Sequence, residues 1–333
     1  MNPVLVNVWR GNSIESRHRG SVAVVDATGR PVFSLGDVQR AEYPRSALKF
    51  LQAIPLIESG AADHFALTDQ HLSFACSSHN GESIHTDLAE QWLKLIDCTV
   101  DDLECGAEMP LNPEAQFALI AAGGSPRRYH HNCSGKHLGL LTICRHLNEG
   151  VQHYRLYNHD AQRRWFDVVE NMANVQMQSA PWGYDGCGIP SVALPLQRVA
   201  LAFARFADPA SLSANRQAAI ERISTAVAAE PYMVAGRDRL CTSLMELTGK
   251  SVLVKTGAEG YYTAVIPEQG LGIALKIDDG NTRGSQVAMG AVLEKLGVLS
   301  AEQLRELAEF VHPDITNSRG EVVGRIEPSS AWN

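Results

Sequence analysis

Ser46 and Lys49, in the stretch Tyr43-Pro44-Arg45-Ser46-Ala47-Leu48-Lys49, are the side chains whose types and spacing best suit nucleophilic chemistry. A serine hydroxyl is a poor nucleophile until a base takes its proton. A lysine can be that base when burial and neighbouring positive charge lower its pKa. Residues i and i+3 share a helix face, so a helix through this stretch brings amine and hydroxyl within reach. Pro44 disfavours helix at Tyr43 and so sets the start. The run that follows is apolar almost all round (Ala47, Leu48, Phe50, Leu51, Ala53, Ile54, Leu56, Ile57), as in a core helix, which leaves Lys49 desolvated. A base that must be neutral predicts activity rising toward alkaline pH.

Ser-x-x-Lys alone is a common tetrapeptide, but Lys255-Thr256-Gly257 closes a strand pattern downstream. The two in this order are the combination of penicilloyl-serine enzymes, whose second lysine and strand backbone line an acyl-binding groove. Three further blocks gather small, polar and thiol side chains. Cys76-Ser77-Ser78-His79-Asn80-Gly81-Glu82 reads either as a plain Asn-Gly turn or as hydroxyls presented to a cleft. His131-Asn132-Cys133-Ser134-Gly135-Lys136-His137 opens a helix, and Trp182-Gly183-Tyr184-Asp185-Gly186-Cys187-Gly188 is tight, glycine-rich chain. By residue type, Cys133, His137 and Cys187 are candidate zinc ligands, although their separation is no recognised finger spacing and a buried apolar cysteine is the plainer alternative.

The elements that must position these groups follow from periodicity. Val4–Val8 and Ser21–Val25 are β-branched runs, and a hairpin signal at 26–31 leads into Val32-Phe33. Helical patterns are expected at 46–58, 87–96, 113–122, 135–147, 160–174, 190–206 and 214–229. Strands return at 251–257, 261–266 and 270–277, then helices at 284–296 and 301–311, and an edge strand at 321–324. The expected fold is α/β in the α+β sense, an antiparallel sheet built from both termini and flanked by helices. Residues 1–333 then form one catalytic unit, with a sheet subdomain from 1–42 and 250–333 and a mostly helical subdomain from 43–249.

With 333 residues, 45% of them hydrophobic and 20% charged, the chain can bury a large core. A net charge of −8 and no run of basic residues longer than two give no footprint for nucleic acid or an anionic membrane. No apolar window is long enough for a signal peptide or a membrane span. Seven irregularly spaced cysteines suit free thiols or a metal site in a reducing compartment, so a cytoplasmic protein is expected.

Taken together, the five blocks around Ser46, Ser78, Cys133, Cys187 and Val254-Lys255-Thr256-Gly257-Ala258-Glu259-Gly260 resemble the Rhizobium-etli-type, or class 3, L-asparaginases, in matching order over nearly the whole chain. That resemblance implies a fold like those of serine β-lactamases and glutaminases. It implies Ser46 as nucleophile, Lys49 as its base, and Ser78 with Lys255 as a second serine–lysine pair. It also implies a Zn2+ ion held by Cys133, Lys136 and Cys187; this replaces His137 as a ligand and leaves it as a pocket residue. For the implied substrate, L-asparagine, Arg45 suits the α-carboxylate and Asp185 the α-ammonium, with His137 supporting either. Oxyanion donors are expected from the Ser46 amide and one just after Lys255-Thr256-Gly257. A homodimer is the default assembly. The competing expectations are a glutaminase or penicillin-recognising hydrolase on the same scaffold, against which the missing Ser-Asp-Asn motif weighs, and a non-catalytic amino-acid-binding protein.

Overall fold

The computed structural model describes residues Met1–Asn333. The chain divides into two compact units, one of residues 1–47, 194–208 and 254–333, the other of residues 48–193 and 209–253.

The first unit is built on an eight-stranded sheet. Its order runs Asp314–Thr316, Val322–Pro328, Val4–Arg10, Ser13–Asp26, Leu271–Ile277, Tyr261–Ile266, Leu253–Thr256, with Pro31–Leu35 also paired to Ser13–Asp26. The pairings among the termini are antiparallel, Val8 opposite Ile326 and Val24 opposite Ile273, so the two ends of the chain do supply the sheet. The β-branched runs explain it: Val22, Val24, Val25, Val265, Ile273 and Leu275 are buried, on strands covered on both faces. The tail strand is not the edge that was expected at 321–324. Val322–Pro328 pairs on both sides, and Asp314–Thr316 forms the edge.

The helix expected at 190–206 begins only at Leu196, because Pro190 and Pro195 hold the preceding residues extended. It belongs with the sheet, not with the helical part as the division at 43–249 had it. A Cβ on Gly272 would lie 2.0 Å from the Ala204 backbone nitrogen, so only glycine lets helix Leu196–Ala207 lie this close to strand Leu271–Ile277.

The second unit is mainly helical: Lys49–Glu58, Ala61–His64, Asp69–Ala75, Ser83–Leu95, Pro113–Ala121, Ser134–His146, Asp160–Ala173, Ala214–Ala229, Pro231–Ala235 and Leu240–Thr248. Three of these begin on a side-chain cap: Asn112 accepts from the Ala115 amide ahead of Pro113, His159 from Ala161 and Ser213 from Arg216. A small hairpin, Trp182–Tyr184 with Pro190–Val192, interrupts the helices. All seven cysteines are free and buried. No helix is long and apolar enough to cross a membrane.

Candidate active site

Lys49 opens an α-helix whose residues from Lys49 to Leu56 are all buried. The turn before it, Arg45–Leu48, is a 3-10 helix that carries Ser46. In the second unit the Lys49 ammonium donates to the Ser77 carbonyl, to Ser78 Oγ at 3.0 Å and to Cys133 Sγ at 3.2 Å. Burial lowers its pKa, opposed by the Cys133 thiol and assisted by Lys136.

Ser78 sits in a braced loop. Its amide bonds to the Val234 carbonyl at 2.8 Å, and its carbonyl accepts from Arg239 at 3.4 Å. Arg239 also donates to Asn80 Oδ1 at 2.7 Å, and the Glu82 carboxylate accepts from the Tyr232 hydroxyl and the Arg237 amide. Gly81 is left-handed, φ +75°, and a Cβ there would come within 2.9 Å of Pro110 Cα. Sequence reasoning missed Arg239, whose one signal is the Gly236-Arg237-Asp238-Arg239 turn between helices.

Cys133 precedes helix Ser134–His146, at the end where main-chain N–H groups favour negative charge. That helix can approach because residue 135 is glycine: a Cβ would lie 2.0 Å from the Phe74 carbonyl, on the helix that leads into Ser77 and Ser78. Cys187 is carried on the hairpin turn, where Asp185 N bonds to Ile189 O and Gly188 N to Asp185 O, each at 2.8 Å. The hydrogen bond from Cys187 holds the Cys133 thiol well below its usual pKa, helped by Lys136 and Lys49 against burial. The same bond, with burial, raises Cys187. Lys136 donates to Cys187 Sγ at 3.1 Å. Burial pulls its pKa down, but the two thiols and Asp185 more than offset this and hold it above the lysine range. Ammonium donors on this pair favour negative charge on the Cys133 sulfur.

No group of three or more His, Cys, Asp or Glu side chains is placed to hold a metal ion. Two thiols and the Lys136 amine do converge, a donor set that suits zinc once the lysine has given up its proton to expose a lone pair. His137 stands apart from that set. It is fully buried, with Nδ1 2.6 Å from the Tyr154 hydroxyl and no partner for Nε2. Burial holds the ring's pKa well below the usual histidine range, with Lys136 adding to the effect.

In the first unit, Arg45 has φ +50°, a left-handed conformation that costs an arginine about 1–2 kcal/mol and is held by the turn around it. Thr263 Oγ1 donates to the carbonyls of both Ala47 and Lys255, at 3.1 and 3.3 Å, tying the turn that carries Ser46 to the strand that carries Lys255. Gly257 closes the approach, since a Cβ there would lie 2.5 Å from the Pro44 carbonyl. Lys255 is fully buried, and its ammonium donates to the Thr256 carbonyl at 2.8 Å. The Gly257 amide is already bonded to the Tyr261 carbonyl at 2.8 Å. Within the second unit a hydrogen bond joins Lys49 to Ser78, and within the first Thr263 ties the Ser46 turn to the Lys255 strand.

The profile of the family described as L-asparaginase II matches residues 6–328. No curated protein matches the chain significantly. Among solved structures, a D-alanine carboxypeptidase AmpC from Burkholderia cenocepacia is 16% identical, with TM-score 0.42 over 84% of this chain and 93% of that one. A β-lactamase from Mycobacterium bovis is 13% identical, with TM-score 0.42 over 88% and 95%. The native form of Mglu is 14% identical, with TM-score 0.45 over 86% and 66%.

Proposed function

The chain belongs to the L-asparaginase II family, and we propose that it hydrolyses L-asparagine to L-aspartate and ammonia through an ester on Ser46. The observation that carries this is the buried Lys49 amine. It comes three residues after Ser46 in the sequence and is hydrogen-bonded to Ser78 Oγ. A buried amine is easily deprotonated, as a base for a hydroxyl must be.

Ser46 Oγ bonds to the side-chain amide carbon while Lys49 takes its proton. The resulting oxyanion is held by main-chain N–H groups, that of Ser46 and one following Gly257. The C–N bond breaks as the nitrogen is protonated through Ser78 and Lys255, and ammonia leaves. Water then opens the ester by the same relay in reverse. Arg45 pairs with the α-carboxylate through two parallel hydrogen bonds and Asp185 accepts from the α-ammonium. Cys133, Cys187 and a neutral Lys136 would hold a zinc ion, which when bound supplies Lewis-acid polarisation of a substrate oxygen.

Ammonia release from L-asparagine, L-glutamine and a chromogenic β-lactam, measured side by side, tests the assignment. Turnover confined to or strongly favouring asparagine is expected. Preference for glutamine or the β-lactam overturns the substrate, and ligand-dependent melting shifts without turnover of any of the three make the protein a binder.

A further inference from the structure

We propose that His137 is a neutral, single-tautomer donor whose Nε2–H is kept for an oxygen of the bound substrate, and that Tyr154 is the positioning residue that fixes the tautomer. The proposal deepens the asparaginase assignment and rests on it for the identity of the substrate.

Hydrogen-bond inventory decides the tautomer. The Glu104 amide donates to the Tyr154 hydroxyl oxygen at 2.9 Å, so the phenol accepts there and has one hydrogen left to give. That hydrogen faces His137 Nδ1 at 2.6 Å. Nδ1 is therefore the acceptor, and the ring proton sits on Nε2. An imidazolium would turn a second donor on the phenol oxygen and strand the tyrosine hydrogen in the interior, because Tyr154 is fully buried. The phenol is itself anchored. The Glu104 carboxylate accepts from the amides of His153 and Arg155, at 2.6 and 3.2 Å, on either side of it in sequence. Gln162 donates to the Tyr154 carbonyl at 2.7 Å.

The other nitrogen has no such closure. Nε2 of His137 is buried and finds no acceptor anywhere in the chain. The charged and ionisable groups around the ring are Lys136, Cys133, His131 and Lys49, the members of the candidate site itself. A buried N–H left open beside two lysines calls for an external acceptor, and the substrate offers two kinds, its α-carboxylate and its amide carbonyl. The α-ammonium is excluded, since it brings donors only and Nδ1 is already occupied.

The test is the 15N spectrum of histidine-labelled enzyme, with His137 identified by its loss in His137→Gln. In the free protein Nε2 is expected to carry the proton and Nδ1 to be bare; the reverse pattern, or rapid exchange between tautomers, overturns the proposal regardless of activity. Tyr154→Phe is expected to mix the tautomers and to lower kcat/KM at least tenfold while the melting temperature stays within a few degrees. Saturating Ser46→Ala with L-asparagine is expected to shift the Nε2 proton. With 3-aminopropanamide, which lacks the carboxylate, a retained shift assigns the amide oxygen and a lost shift the carboxylate. A ligand that raises the melting temperature yet leaves Nε2 unmoved overturns the substrate contact. If none of these ligands raises it, the asparagine assignment fails with that contact, while the tautomer still stands or falls on the free-enzyme spectrum.

Discussion

Two buried histidines in the second unit show the difference between a polar group that holds the fold and one that awaits a ligand. His79 Nδ1 accepts from the Gly81 amide at 3.0 Å, its Nε2–H donates to Ser134 Oγ at 2.9 Å, and Ser134 passes the chain on to the Tyr129 carbonyl at 3.0 Å. Every donor there has its acceptor. Around His137, Cys133, Lys49 and Lys136 the network is open: two cysteine sulfurs, two lysines and an unmatched N–H converge. A closed network gains rigidity, whereas an open one stores a desolvation cost that a bound molecule can relieve. Substitutions in the open cluster should therefore cost activity, and those in the closed one stability.

The largest effect is expected at Lys49. Lys49→Met should lower kcat by about 10⁴–10⁶-fold, the scale for losing a member of a nucleophile–base unit. Its melting temperature should fall only modestly, because the apolar replacement removes a buried charge but leaves the Ser77 carbonyl and the Cys133 sulfur without their donor. A fall in melting temperature that accounts for the lost activity would place Lys49 in the closed class. Next is His85, stacked on His79 at 4.9 Å, with its pKa lowered from 6.5 to about 4, chiefly by burial. Its folded state refuses a proton that the unfolded state accepts. Stability is thus complete above pH 6.5 and falls by about 3 kcal/mol as the pH drops toward 4. Denaturant titration across that range should show the slope, and His85→Phe should make it shallower, leaving the part due to His79 and His137.

Gly135→Ala must move the Cys133 helix off the Phe74 carbonyl, at about 1–3 kcal/mol, and the displacement of Cys133 should appear as an activity loss per folded molecule as well. At the closed end, His79→Leu should cost about 1–3 kcal/mol, by leaving the Gly81 amide and Ser134 unmatched. Its kcat/KM should stay within a few-fold once corrected for folded protein, and a hundredfold loss would erase the distinction between the two networks.

Much of the frame was legible from side-chain type alone. The valine and isoleucine runs at Val4–Val8, Ser21–Val25 and 261–277 mark buried strands because β-branched side chains fit a pleated, covered surface. Short helices such as Asp69–Ala75 and Leu240–Thr248 escaped because two turns carry too few apolar positions to set a period. At Pro190–Pro195 an apolar run masked two prolines that keep the chain extended. Of the site, Ser46 and Lys49 were readable because their relation is local. Cys133 and Cys187, joined by a hydrogen bond, could be grouped by residue type and family resemblance but not by spacing. Arg239 was marked only by the turn that carries it and Tyr154 by nothing local, since each acts on a residue well away in the chain.

The central claim is a covalent one, and mass spectrometry of acid-quenched enzyme mixed with L-asparagine reads it directly. The account predicts an added aspartyl group in ester linkage, located on the peptide containing Ser46 and absent from Ser46→Ala, which should also lose turnover. An ester on Ser78, or near-normal turnover by Ser46→Ala, would contradict it.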